Sequence, residues 1–322
     1  MRGSADIVAL VLLLGSNGII ASPVARQTAC TVKTQRKAWE DLTAAEKEAY
    51  IDADLCLMST APIAGVPGAE SVWDELQYTH AAQADYIHNV GAFLPFHRYY
   101  VRLHQTLIQD LCGYTGPLPY WNEPVDASAL SESVILDPET GFGGDGSGSA
   151  RCITDGPFVN ITLRINQDLE AGDEYCIYRA LSDRSFSNAV QTNVDTCLAK
   201  STFNDAWNCI EAKPHSSGHG GVNGLMVDVA LSPGDPIFWL HHGYIDKLWW
   251  DWEALKVPAR LTEIGGNNTA RGKSDPAWVN YFGDNGTTTT LNHALTSHGL
   301  VPNATIADVM DIGGDYVCAE FV

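Results

Sequence analysis

Six histidines fall into two groups of three: His80, His88 and His97, then His215, His219 and His242. Three imidazoles per group suit a metal ion that keeps an open position for catalysis, whereas a structural zinc site is more often closed by four ligands that include thiolates. All-imidazole ligation fits copper, zinc, iron or nickel. His215 and His219 are four residues apart and face the same way on a helical turn. The residues around them, Ser216, Ser217, Gly218, Gly220 and Gly221, are small enough for a close approach but make a poor helix interior, a weakness that a bound metal would offset.

Helices must present these rings. Thr43-Ala-Ala-Glu46 is a capping box opening one helix, and Ser71-Val-Trp-Asp74 opens a second in the same way. In the second, Val72, Trp73, Leu76 and His80 share one face, so His80 points to the core. Pro95 suits the first position of a third helix, with Phe96, Tyr100, Leu103, Leu107 and Leu111 as its apolar stripe, Gly113 as its stop and His97 in its first turn. A fourth is expected from about Thr202 to Glu211, ending near Pro214. Asp235-Pro236 caps another, running through His242 to about Leu255. The spacing of His80, His88 and His97 requires a helix, a loop and a second helix to converge.

Neighbouring side chains take supporting roles. Phe238 lies one turn before His242 and can pack on the imidazoles; Asp246, one turn after, can take a hydrogen bond or anchor the helix to a basic partner such as Arg98. His241 points about 100° away from His242 and is assigned a supporting or packing role. His104 is expected to be a buried, hydrogen-bonded histidine, and His293 and His298 to be solvated. The Gly141–Ser149 loop lacks the Lys-Ser/Thr of a phosphate loop and is read as a flexible loop without a ligand.

Composition narrows the class. The chain has 322 residues, 45% apolar and 18% charged, as a globular protein does, and a net charge of −20. That charge argues against nucleic acid or an anionic membrane as partner and suits small neutral or cationic molecules. Arg2, the apolar run Ile7 to Leu14 and the small residues of Ala21 to Ala25 read as a signal peptide over 1–21, cleaved somewhere in 21–25, too short to span a bilayer. Four glycosylation sequons, at Asn160, Asn267, Asn285 and Asn303, agree with a secreted, extracellular glycoprotein. Eight cysteines allow up to four disulfides, and Cys318 is expected to tie the C-terminus to an N-terminal cysteine. No repeat and no linker is visible, so residues 26–322 read as one domain, with short β runs after residue 256.

His88-Asn-Val-Gly-Ala-Phe-Leu-Pro-Phe-His97-Arg-Tyr-Tyr resembles the first copper-binding motif of tyrosinases and catechol oxidases. Asp235-Pro-Ile-Phe-Trp-Leu-His-His242, followed by Asp246, resembles the second. The resemblance is strong over about 70–110 and 205–255. It implies a mainly α fold in which a four-helix bundle core holds a dinuclear type-3 copper site, with long loops and short β segments. His80, His88 and His97 would bind the first copper and His215, His219 and His242 the second.

Departures from the family pattern refine this. Where many fungal relatives carry a cysteine that crosslinks to the second histidine, this chain has Tyr86, so no thioether is expected. Where some monophenol-hydroxylating relatives carry an asparagine that, with a glutamate, holds a water, it has Ser216, with Glu211 as candidate partner. A hydroxyl holds a water less firmly than an amide, and Gly220 leaves the entrance wide. The implied activity is therefore oxidation of o-diphenols to o-quinones with reduction of O2 to water, by binding at the second copper against His242 and Phe238 and with no dedicated side-chain base. A tyrosinase that also hydroxylates monophenols is the alternative. Oxygen carriage, as in hemocyanins, would require a covered second copper, and a dizinc hydrolase would normally bring bridging carboxylates. The chain ends soon after Leu255, so no separate C-terminal blocking domain is expected, and Tyr316-Val-Cys318 resembles the tyrosine-containing close of the core domain.

Overall fold

The structure, a computed structural model, describes residues 29–169, 171–270, 284 and 286–322. The expected signal peptide and the Asn285 sequon lie outside the described residues. Helices α1 (Ala44–Ser59), α2 (Val72–Ala81) and α3 (Phe93–Cys112) are followed by α4 (Phe203–Ile210), α5 (Ser216–Val222) and α6 (Ile237–Ala254). Both expected capping boxes form, Thr43 with Glu46 and Ser71 with Asp74. Gly113 takes φ +69° and ends α3, a conformation that costs glycine nothing.

α3 and α6 pack directly on each other, with α1 against α2 and α3. α3 begins at Phe93, with Ala92 as its N-cap, so Pro95 is its third residue rather than its first. The missing N–H is still harmless, because the first turn has no intrahelical acceptor for it. Leu111, read as the end of the apolar stripe, is 39% exposed.

Pro214 does not end the fourth helix. Residues Glu211–His215 widen into a π turn that contains Pro214 and leads straight into α5. The wider turn removes the need for a proline N–H in the regular ladder. It also rotates His215 and His219 onto one face of a continuous helical run.

One buried ion network fastens the bundle. Asp246 on α6 receives the guanidinium groups of both Arg36 and Arg98, and Arg98 also reaches Glu253 at 2.7 Å. The Arg98 guanidinium lies 3.7 Å from the Trp249 ring centroid and donates to the carbonyls of Val309 and Met310. The Asp246–Arg98 anchor was legible in the sequence; Arg36 was not. It arrives on strand β1 (Thr34–Ala38), which pairs in parallel with β2 (Leu118–Tyr120) and β3 (Ala319–Phe321).

All eight cysteines are paired: Cys30–Cys318, Cys56–Cys112, Cys152–Cys176 and Cys197–Cys209. The first ties the C-terminus to the N-terminal cysteine, as expected. The Gly141–Ser149 loop is pinned, not loose: buried Arg179 donates to the carbonyls of Phe142 and Gly143 while its other nitrogens hold Asp235.

His293 is a correction. It is 3% exposed and bonded to Asp284 at 2.7 Å, not solvated. His298 is half-buried, edge-on to Tyr78. The C-terminal region is polar in sequence but folds over the bundle, so His293 finds a carboxylate and His298 an aromatic ring. His104 is buried as expected, 2.8 Å from Asp54 and stacked on Trp239.

Candidate metal centre

The bundle brings each histidine trio together. His80, His88 and His97 form one group in which a ring nitrogen of each lies within 4.8 Å of the others. His215, His219, His241 and His242 form the second, by the same measure. α2 supplies His80, the loop after the short turn Ala84–Ile87 supplies His88, and α3 supplies His97. The π turn supplies His215, α5 supplies His219 and α6 supplies His242. The two groups touch: the rings of His97 and His242 stack at 4.2 Å between centroids.

Ring orientation is set by the backbone. Nδ1 of His80 faces the Ala230 carbonyl, His88 that of Ala84, His97 that of Phe93, His215 that of Glu211 and His219 that of Met226. A carbonyl only accepts, so each Nδ1 carries the proton and each Nε2 keeps a bare lone pair. Buried Nε2 atoms of His80, His97 and His215 have no protein partner among the described residues. His219 Nε2 faces His242 Nε2 at 3.3 Å, and Nδ1 of His242 is buried without a partner among the described residues. Orphaned lone pairs in a core are costly. A cation between them satisfies the donor set, and it must be one that accepts all-nitrogen ligation.

Burial holds these rings neutral. His80, His97, His215, His219 and His242 are all pushed well below the usual histidine range, first by desolvation and then, in most of them, by one another's charge. Neutral imidazole is the form that binds a metal.

Aromatic rings wall the centre. Phe238 stands 4.2 Å from His242 and 5.3 Å from His80, as its spacing suggested. Phe93 packs at 4.7 Å on both His97 and His215. Phe93 was missed because it precedes the expected start of α3; a phenylalanine four residues before a ligand candidate, as Phe238 is before His242, was the available signal.

His241 turns toward Glu123, a fully buried carboxyl contributed by the segment after β2. Burial raises the Glu123 carboxyl well above the usual range and lowers His241 to about 3. With both neutral, the carboxyl donates to Nδ1 and the His241 proton resides on Nε2. Gly218 makes room for this pair: a Cβ there would lie 2.2 Å from His241 Nδ1 and 2.6 Å from Glu123 Oε1. Glu123 carries no local sequence signal, being about 120 residues from its partner.

Ser216 and Glu211 are neighbours through the backbone. The Ser216 hydroxyl donates to the Glu211 carbonyl at 2.9 Å. The Glu211 carboxylate instead takes the Asn89 N–H and the Trp207 indole N–H, each at 2.7 Å. A cavity of about 200 Å³ opens onto His88, His215 and His219, with Ser216 and Gly220 in its wall. Tyr86 has no sulfur to crosslink, and every cysteine is in a disulfide.

The model of the common central domain of tyrosinase matches residues 70–255. A tyrosinase-like protein of Diaporthe leptostromiformis is 30% identical, over 91% of this chain and 80% of its own. A tyrosinase of Aspergillus flavus is 28% identical, over 98% and 85%. Among solved structures, a polyphenol oxidase variant from Thermothelomyces thermophila is 26% identical, covers 90% of this chain and 89% of its own, and superposes with a TM-score of 0.77. A functional unit of octopus hemocyanin shares the fold at a TM-score of 0.51 and 18% identity, over 69% of this chain and 53% of its own. The motifs, the helical core, the paired histidine clusters and these matches agree, and the chain belongs to the tyrosinase family.

Proposed function

We propose that the chain is a secreted type-3 copper polyphenol oxidase that converts o-diphenols to o-quinones, two diphenols per O2, with two waters formed. His80, His88 and His97 would hold one copper, and His215, His219 and His242 the other. A copper pair bound there supplies the two-electron exchange with dioxygen. The observation that carries the reading is the fixed tautomer of five rings, which leaves a bare Nε2 lone pair on each. His241, whose Nε2 bears its proton, supports His215 and His219 by packing, at 5.4 and 4.6 Å between centroids.

The remaining residues bind and orient. The phenol ring enters between His215, His219 and Gly220, and Phe238 fixes the His242 plane against which it rests. Ser216, with its hydroxyl committed to a carbonyl, and Glu211, with both oxygens engaged, form no firm water site for deprotonating a monophenol. That supports diphenol oxidation over monophenol hydroxylation. The open cavity supports turnover rather than oxygen carriage. Four disulfides and the exposed sequons at Asn160, Asn267 and Asn303 support an extracellular setting. No helix among the described residues is long and apolar enough to cross a membrane.

The test follows O2 consumption and quinone absorbance on copper-loaded protein, with a catechol and then the matching monophenol. Rapid turnover of the catechol alone is expected. Comparable turnover of both would make the protein a monophenol-hydroxylating tyrosinase, and reversible O2 binding without turnover would make it a carrier.

A further inference from the structure

The cavity over the histidines does not end at its mouth. Val227 and Val229 line it and also line a second, wider groove of about 550 Å³ that continues to Asp85, Tyr178 and Asp228. Both valines are exposed, at 48% and 40%, which leaves an apolar sill between the two spaces. A ring seated at His215 and His219 would therefore pass its substituent over the valines into the groove.

The groove has one sign of charge. Among the described residues, Asp85 and Asp228 are its only charged lining residues, and no lysine or arginine lines either space. Asp228 is already engaged, accepting from Gln167 and from the Ala230 and Leu231 N–H groups. Asp85 is exposed and has no hydrogen bond or ion pair among the described residues. It sits on the Ala84–Ile87 turn, whose Ala84 carbonyl fixes the His88 ring, so its position is tied to the metal centre.

The cavity is also built for a polar occupant. Ser232 lines it and is only 1% exposed. A serine hydroxyl both donates and accepts, so it can hydrogen-bond a polar occupant that reaches it.

We propose that cavity and groove form one substrate channel selecting phenols that carry a protonated amine, with Asp85 as the specificity-determining carboxylate and Ser232 as a polar contact within the cavity. This rests on the reading of the chain as a phenol oxidase and adds the substrate class. An ammonium on a two- or three-atom tail gains an ion pair that a neutral tail lacks, and the −20 charge of the chain raises the local concentration of cations.

The experiment compares dopamine, ethylcatechol and dihydroxyphenylpropionate on the copper-loaded protein and on Asp85→Asn. The wild type should prefer dopamine over the anionic acid, and Asp85→Asn should lower the dopamine to ethylcatechol ratio of kcat/KM about fivefold, the size expected for an exposed ion pair. The preference should also shrink in high salt. A second readout needs no copper: by NMR titration, phenethylamine should bind the metal-free wild type more tightly than phenylethanol does, and Asp85→Asn should remove the difference. An unchanged ratio, together with equal binding of amine and alcohol, overturns the proposal. Loss of all catechol turnover with the binding difference intact would instead remove the phenol oxidase reading and leave the amine-selective channel standing.

Discussion

The imidazoles of His97 and His242 stack with centroids 4.2 Å apart and planes 12° apart, although 145 residues separate them in the chain. One comes from α3 and the other from α6, so the contact between the two histidine trios is the contact between these helices. Whatever fixes α3 against α6 therefore also fixes the spacing of the two trios.

The Asp246 network does this. Replacing Asp246 with Ala leaves Arg36 and Arg98 buried with their shared counter-charge gone, and the expected cost is about 3–5 kcal/mol. Urea unfolding of the metal-free protein measures it. A loss below about 1 kcal/mol, within the range of an ordinary surface pair, would contradict the network's role.

Gly218→Ala tests the space behind the second trio. The added methyl meets the His241 and Glu123 side chains, which have nowhere to retreat, so the turn bearing His215 and His219 must shift. An overpacking cost of about 1–3 kcal/mol is expected, together with loss of metal from the second trio but not the first. Metal retained at both sites would show that the pair can move aside.

Acid sensitivity follows from the buried histidines. His241 is held down to about 3 by burial, whereas an unfolded histidine titrates near 6.5. Between those values the unfolded chain binds a proton that the folded chain does not. The contribution is therefore complete above about pH 6.5 and is lost as pH falls, by about 1.4 kcal/mol per unit. Melting curves of metal-free protein from pH 7 to 4 should fall more steeply for the wild type than for His241→Asn. Parallel curves would mean that His241 is protonated in the fold.

Ser216→Asn places an amide at the cavity mouth, where two polar groups can hold a water that the hydroxyl, spent on the Glu211 carbonyl, cannot. The ratio of monophenol to diphenol turnover should rise. A ratio that stays at the wild-type value would move the cause of the diphenol preference to another residue, such as the engaged Glu211 carboxylate.

The site was legible where chemistry is local. Histidine spacing, the capping boxes before α1 and α2 and the Phe238-to-His242 turn can all be read along one helix. Three things could not be. Pro214 signals a helix end locally, yet the π turn carries the chain through it. His293 sits in a polar stretch, and its burial depends on Asp284 and the fold of the C-terminal segment over the bundle. Glu123 and Arg36 act on α6 from more than 100 residues away, and no periodicity encodes a partner at that distance.

The central claim is that six histidines form two metal sites, and native mass spectrometry of copper-titrated protein tests it most directly. The account predicts two copper ions per chain in the wild type, and one in each of His97→Ala and His242→Ala. A single copper in the wild type, or two retained in either variant, would contradict it.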